Sequence, residues 1–169
     1  MTIKHPEQRV CLFIDAQNLY HSAKNLYNAK VNFKELLKAA VGGRKLIRAF
    51  AYVIGTVSGE EKAFFEALEK SGIEIKSKDL QIFPGGEKKG DWDVGLAIDA
   101  IRLSSSVDVI IIASGDGDFI PLIEYLKALR GLRIEIVAFQ KSSSAKLIEI
   151  ADEFLDLGKN SKFLIKRHY

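Results

Sequence analysis

Two stretches of the chain are almost continuously apolar, and acidic residues follow both of them. Residues 10–14 are apolar without interruption, and Asp15 follows directly. In residues 107–113, five of the seven side chains are β-branched and apolar. Unbroken runs of this kind are typical of strands that are buried on both faces, as in parallel sheets. We therefore predict two central strands at these positions.

Apolar residues recur at helical spacing after each of these strands. The positions after Asp15 are Leu19, Tyr20, Ala23, Leu26 and Tyr27, and those after Phe119 are Leu122, Ile123, Leu126 and Leu129. Asp118 is a predicted N-cap for the second helix, and Pro121 suits a first turn because that turn lacks amide partners. Gly131 is the predicted C-terminal stop. Both regions therefore have the order strand, acidic junction, helix.

The same alternation continues through the rest of the chain. The pattern predicts a helix opened by the capping box Asn32–Glu35, then a strand over 46–54, a helix over 60–70 and a short strand from 73. A polar glycine-rich loop is predicted at 85–90. A helix over 91–103 follows, with an apolar stripe of Val94, Ala97, Ile98 and Ile101. A strand over 133–139, a helix from 142 to 150 and a short segment at 154–157 complete the pattern. Alternating strands and helices predict an α/β fold with a mainly parallel central sheet flanked by helices.

Length and composition narrow the class of protein. A chain of 169 residues has room for one domain. No apolar run approaches the length of a membrane span, and residues 1–9 form a polar lead without the apolar core of a secretory signal. We therefore expect a cytoplasmic protein with no membrane partner. The single cysteine, Cys11, excludes both a disulfide framework and a cysteine zinc site. The net charge of +3 decides little, but residues 158–169 form a basic tail.

Carboxylates cluster at the predicted junctions between elements. They are Asp15, Asp91, Asp93, Asp116 and Asp118. Each one alone is equally well explained as a helix N-cap. As a set they would repel each other at one edge of the sheet unless a cation lay among them. Oxygen ligands suit a hard ion, so the prediction is Mg²⁺ or Mn²⁺ rather than zinc, at the edge where parallel sheets bind ligands.

Several residues near these acids have two open interpretations. Asp99 lies about 120° around the helix from Asp93, so it either flanks the site or faces solvent. Lys88 and Lys89 precede the acids and would neutralise an approaching phosphate backbone, or they belong to a solvated loop. Trp92 could stack on a base, although a lone tryptophan beside an apolar stripe is more often part of a core.

Three motifs resemble a known family. They are Phe13-Ile14-Asp15-Ala16-Gln17-Asn18, Lys89-Gly90-Asp91-Trp92-Asp93-Val94 and Ser114-Gly115-Asp116-Gly117-Asp118-Phe119. Together, in this order and spacing, they resemble the NYN domains, specifically the LabA-like branch of the PIN-like nuclease superfamily. The resemblance extends over residues 10–157, which we take as the domain. It implies a Rossmann-like PIN fold and metal-dependent ribonuclease chemistry.

The resemblance also implies roles for individual residues. Asp15, Asp93 and Asp116 would hold Mg²⁺ or Mn²⁺, and Asp118 would complete the set directly or through water. These four aspartates are the predicted catalytic residues of an endoribonuclease that hydrolyses RNA with a metal-activated water. Asn18, Lys88 and Lys89 are the predicted contacts to substrate. Many members have a small polar residue where this chain has Gly117, which removes one possible hydroxyl contact to RNA.

Two other functions remain open on the sequence. The first is a non-cleaving module on the same fold that binds RNA or a regulatory protein partner. The second is a phosphatase of the haloacid dehalogenase type, but that chemistry needs an aspartate where Gln17 stands. A homodimer is compatible with both the nuclease and the binding-module hypotheses. The RNA substrate itself has no signature in the sequence.

Overall fold

A computed structural model describes residues 4–55, 59–79, 81–82, 84–85, 88–89 and 91–166. Its strands are β1 (Arg9–Asp15), β2 (Ala29–Val31), β3 (Lys45–Gly55), β4 (Glu74–Asp79), β5 (Gln81–Ile82), β6 (Lys88–Lys89), β7 (Val109–Ala113), β8 (Arg133–Ala138), β9 (Glu153–Asp156) and β10 (Leu164–Lys166). Its α-helices are α1 (Ala16–Tyr27), α2 (Phe33–Val41), α3 (Gly59–Lys70), α4 (Asp93–Leu103), α5 (Ile120–Arg130) and α6 (Ala145–Ile150). The predicted α/β architecture is confirmed.

Six of the strands form the central sheet, in the order β4-β3-β1-β7-β8-β9, and all of their pairings are parallel. The two strands predicted to be central occupy its middle. Residues 10–14 of β1 and all five residues of β7 are fully enclosed, as continuous apolar runs require. Ile14 pairs with Ala113, and Asp15 pairs with Tyr52 of β3. The carboxyl ends of β1, β3 and β7 therefore lie side by side at one edge.

Local signals in the sequence set several helix ends correctly. The Asn32 side chain caps α2 by accepting a hydrogen bond from the Glu35 amide. Gly42 and Gly131 end α2 and α5 in the left-handed conformation, and Pro121 lies in the first turn of α5. The predicted N-cap at Asp118 is wrong. A 3₁₀ turn over Gly117–Phe119 precedes α5, and the side chain that caps this turn is that of Asp116.

The predicted apolar stripe on α4 does not face the core. Val94 is 70% exposed and Ile98 is 56% exposed, whereas Leu96 and Ala100 are buried. The rotation of α4 follows from Asp99, which is buried and accepts hydrogen bonds from Tyr52 Oη at 2.7 Å and Lys76 Nζ at 2.6 Å. A carboxylate with these partners stays charged inside the protein, so it fixes which side of the helix meets the sheet.

Two short antiparallel pairs lie outside the central sheet. Within the predicted glycine-rich loop, β6 pairs with β5. Near the C-terminus, β10 pairs with β2, and the Asn32 amide donates to the Phe163 carbonyl at 2.8 Å. Residues 167–169 of the predicted basic tail lie outside the described residues. Among the described helices, none has the length and apolar character needed to cross a membrane.

Candidate metal centre

Three aspartates from three separate segments meet at the carboxyl edge of the sheet. Asp15 ends β1, Asp93 begins α4, and Asp116 follows β7. One carboxylate oxygen from each lies within 4.8 Å of the others, and all three side chains are half-buried. They converge because the neighbouring strands β1 and β7 are parallel and end at the same edge, while α4 begins there. The structure thus brings together three of the four predicted metal ligands.

A hydrogen-bond network holds two of these carboxylates in place. Asp15 accepts hydrogen bonds from Ser114 Oγ at 3.0 Å and from the Asn18 amide at 3.2 Å. Ser114 Oγ also accepts from the Asp116 amide at 3.1 Å. Asn18 Oδ1 accepts from the Gly115 amide at 3.0 Å, which ties α1 to the turn after β7. These contacts set the positions of the acids and leave other lone pairs of the carboxylates available.

The turn after β7 is packed too closely for larger residues. A Cβ on Gly115 would overlap Ser143, and the Gly115 carbonyl accepts a hydrogen bond from the Ser144 amide at 3.0 Å. A Cβ on Gly117 would lie 3.2 Å from the Ser144 side chain, which would have to shift slightly. Gly115 is therefore a steric requirement of this turn. At Gly117, a small polar residue needs only a modest adjustment.

The electrostatics of the cluster favour a cation. Burial, followed by the neighbouring charges of Asp116 and Asp15, raises the pKa of Asp93 to about 6. Burial also raises the pKa of Asp15, although hydrogen bonds from Asn18 and Ser114 act in the opposite direction. No ion pair to these acids occurs in the described part of the chain. Crowded carboxylates that lack a positive partner fit a hard divalent ion, and three oxygen donors suit Mg²⁺ or Mn²⁺.

The acids line a cavity of about 310 Å³. Its walls include four residues that the sequence did not indicate as part of a site: Gln17, His21, Tyr52 and Ile54. Gln17 and His21 are four residues apart on α1 and therefore share one face of this helix, which begins directly after Asp15. The sequence could have indicated both of them from this spacing. Tyr52 had no such signal, because its place beside Asp15 depends on the pairing of β1 with β3.

The other predicted acids lie around the central three. Asp118 lines the cavity, but its carboxylate is not among the three oxygens that converge. Its amide donates to Asp116 Oδ1 at 2.9 Å. Asp91 also lines the cavity, and its carboxylate accepts a hydrogen bond from the Asp93 amide at 3.3 Å, as expected of an acid in a turn.

Trp92 and Asp99 both contact Tyr52, which is part of the cavity wall. The Trp92 indole donates to the Val53 carbonyl at 3.0 Å, packs edge-on against Tyr52, and contributes one side to the cavity. Asp99 does not line the cavity and does not face solvent. Burial raises its pKa, but hydrogen bonds from Lys76 and Tyr52 outweigh that effect, so its pKa is lowered. The contact of Asp99 with the cavity wall is its hydrogen bond from Tyr52.

Of the three predicted substrate contacts, Asn18, Lys88 and Lys89, the structure describes the side chain of Asn18 alone. Asn18 lines the cavity, and its carboxamide already supports the turn at Gly115. The backbones of Lys88 and Lys89 form β6. Their side chains lie outside the described part of the structure.

Comparisons with known proteins agree with this architecture. The family model described as the NYN domain matches residues 9–158. The low amplitude and bright protein LabA of Synechococcus elongatus is 24% identical over 173 aligned residues, which cover 94% of this chain and 88% of LabA. A crystal structure of a protein of unknown function from Vibrio parahaemolyticus superposes with a TM-score of 0.87 at 27% identity. That alignment covers 97% of this chain and all of the other.

Proposed function

The chain belongs to the NYN domain family, and we propose that it is a divalent-metal-dependent endoribonuclease. The observation that carries the proposal is the convergence of Asp15, Asp93 and Asp116, whose oxygens lie within 4.8 Å of one another. NYN domains are a PIN-like nuclease family, and these three aspartates are the ones that the family resemblance assigns to the metal.

Mg²⁺ or Mn²⁺ bound by these carboxylates would supply a water of lowered pKa and neutralise charge on the phosphate. The chain's own residues hold that arrangement rigid. Asp15 and Asp116 are joined through the Ser114 hydroxyl, and Asp93 is placed by the start of α4. Asp118 follows Asp116 by two residues and lines the same cavity, and we propose that it contacts the ion through water.

No side chain of the site needs to act as a nucleophile. Water adds to phosphorus and gives up one proton, the bond to the leaving oxygen breaks, and that oxygen takes up one proton, so the reaction consumes no net proton. The described walls of the cavity include Asn18, Gln17 and His21, which are polar and face the same space as the acids. We propose that Asn18, Lys88 and Lys89 contact the RNA backbone, with the lysines offsetting the charge of phosphate.

The test is cleavage of a mixed, labelled RNA pool with Mn²⁺, with Mg²⁺ and with a chelator. Asp116→Asn is the site variant. Asp108→Asn is the matched control, because it makes the same chemical change at the opposite end of β7. We expect RNA fragments that form only with the metal. Their persistence in Asp108→Asn and their loss in Asp116→Asn would support the proposed nuclease activity.

Binding of Mn²⁺, measured by calorimetry, separates the alternatives. Metal binding and RNA binding without cleavage would replace the nuclease by a non-cleaving RNA-binding module. Cleavage by Asp116→Asn at the normal rate would disprove the assignment of the metal ligands. Loss of the fold in that variant is checked by circular dichroism, and Asp93→Asn then serves as the second site variant.

A further inference from the structure

A second concave region lies near the amino ends of the central strands, whereas the acids lie at their carboxyl ends. It is a cavity of about 630 Å³ between α2, the start of β3 and the end of α3. Leu46 marks its position, because Leu46 pairs with Val10 at the start of β1, whereas Asp15 lies at the end of that strand. Six of its lining residues define what we call the lysine groove: Lys34, Leu37, Lys38, Val41, Leu46 and Lys70.

The sequence of α2 builds one wall of this groove. Lys34 and Lys38 are four residues apart, as are Leu37 and Val41, and the two pairs are offset by three residues, so all four side chains lie on one side of the helix. A different face of α2 carries Phe33, Leu36 and Ala40, which are buried in the core. Leu37 and Val41 pack against the margin of the core and remain half-buried, so part of each apolar side chain is open to the groove.

Among the described lining residues of the groove, the charged side chains are all lysines. In the described part of the chain, no ion pair or hydrogen bond joins Lys34, Lys38 or Lys70 to an acid. Nearby cations do have partners: Lys45 pairs with Glu7 at 2.8 Å, and Arg48 pairs with Glu74 at 2.8 Å. The groove thus presents an aliphatic floor between three ammonium groups that lack an acidic partner of their own.

We propose that the lysine groove binds an acidic, helical segment of a partner protein through aliphatic side chains that enter between the lysines. Charge complementarity selects acidic residues on the partner, and the floor of Leu37, Val41 and Leu46 selects leucine-like anchors. RNA fits less well, because the described lining residues include no aromatic side chain for base stacking and no arginine for bidentate phosphate contacts. This site is separate from the metal centre, so it stands whether or not the protein cleaves RNA.

The test is titration of the ¹⁵N-labelled full chain with a short helical peptide of glutamate and alanine that carries leucines on one face. Saturable chemical-shift changes are expected at Leu37, Val41 and Leu46. One control peptide replaces leucine by serine, a second replaces glutamate by lysine, and a short single-stranded RNA is the third probe. None of these three is expected to produce the same saturable changes.

Variants then test the charges and the floor separately. The triple variant Lys34→Glu, Lys38→Glu and Lys70→Glu is expected to weaken peptide binding by about tenfold or more, as the loss of three exposed ion pairs implies. The matched control Lys24→Glu, Lys30→Glu and Lys159→Glu has the same net charge and is expected to change affinity by no more than about twofold. Leu37→Ser is expected to weaken binding without any change in charge.

Three outcomes would overturn the proposal. They are the absence of saturable shifts in the groove, equal weakening by the two triple variants, and stronger binding of RNA than of the acidic peptide at the same residues. Cleavage of RNA by the groove variants is measured in parallel. Its retention would show that a change in peptide binding does not arise from damage to the metal centre.

Discussion

Ser114 Oγ donates a hydrogen bond of 3.0 Å to Asp15 Oδ2, joining two residues that are 99 positions apart in the chain. The same hydroxyl oxygen accepts a hydrogen bond from the Asp116 amide at 3.1 Å. One buried serine therefore links the carboxylate of Asp15 to the backbone of Asp116, another of the three converging aspartates. It can do so because β1 and β7 are adjacent and parallel and end together, with Ile14 paired to Ala113.

We expect Ser114→Ala to weaken Mn²⁺ binding by about tenfold, because groups that orient metal ligands typically contribute that much. The loss of the hydrogen bond should also lower the free energy of unfolding by about 1 kcal/mol. Calorimetric titration with Mn²⁺ and urea unfolding measure the two effects. Ser104→Ala is the control, since Ser104 is also buried but donates to the Ile101 carbonyl, away from the site. Equal Mn²⁺ affinity in both variants would contradict this role.

Asp93→Asn should make the metal-free protein more stable at neutral pH. The folded-state pKa of Asp93 is about 6, above its ordinary value of 3.8. Folding therefore favours the protonated acid, and the associated stability is full below about pH 4 and lost as the pH rises through about 6. After allowance for solvent screening, we expect Asn to gain about 1 kcal/mol at pH 7.

Urea unfolding in chelator across pH 4 to 8 measures this difference, with the exposed Glu149→Gln as the control for other titrating groups. In Mn²⁺ the order should reverse, because wild type gains stability from the bound ion and Asp93→Asn does not. A variant that is less stable than wild type in chelator at pH 7 would refute the burial and charge repulsion to which we attribute the raised pKa of Asp93.

Arg44→Leu should cost about 3 kcal/mol or more in the free energy of unfolding. Arg44 makes a two-pronged ion pair with Glu135, at 2.7 and 2.9 Å, and both side chains are buried. Burial raises the pKa of Glu135, but hydrogen bonds from Arg44 and Arg133 outweigh it, so the pKa is lowered. Without Arg44 the Glu135 carboxylate is less well compensated, and the deficit should shrink as the pH falls and Glu135 protonates.

Two companion variants separate the ion pair from general effects of charge. Arg48→Leu breaks an exposed pair with Glu74 and should cost less than about 1 kcal/mol. The double variant Arg44→Leu with Glu135→Leu should recover most of the loss, because no charge is then buried alone. Thermal or urea unfolding at pH 7 measures all three. Equal losses for Arg44→Leu and Arg48→Leu would argue against a buried pair.

Ile98→Lys should change the free energy of unfolding by no more than about 0.5 kcal/mol, because Ile98 lies on the exposed side of α4. Leu96→Ala, on the buried side of the same helix, should cost about 2 to 4 kcal/mol. The sequence pattern alone predicts the opposite order. Urea unfolding of both variants therefore tests the rotation of α4 directly.

Strong local and periodic signals made much of the fold predictable. The two apolar runs are the middle strands of the sheet, and the glycines at 42 and 131 end their helices, because these features depend on nearby residues alone. The meeting of Asp15 and Asp116 also followed from the sequence, since acids that end parallel strands share one side of the sheet, and Asp93 joins them from the start of α4.

The orientation of α4 could not be predicted from its own sequence. Its apolar residues suggested one buried face, but the partners of the buried Asp99 include Tyr52 and Lys76, on strands far away in the chain, besides Arg102 on α4 itself. A buried carboxylate is tolerated only with such partners, and their positions exist only after the sheet has formed. The predicted N-cap at Asp118 is wrong because a 3₁₀ turn over Gly117–Phe119 precedes α5, and Asp116 caps that turn.

The sequence by itself determined the parallel sheet, its two central strands and the set of acids at one edge, because periodicity and chain polarity carry that information. Only the tertiary structure decided which of the acids converge, which serine joins them, and which lysines surround a groove at the far edge. Those relationships depend on strand register and on helix rotation, which are set by packing between residues distant in sequence.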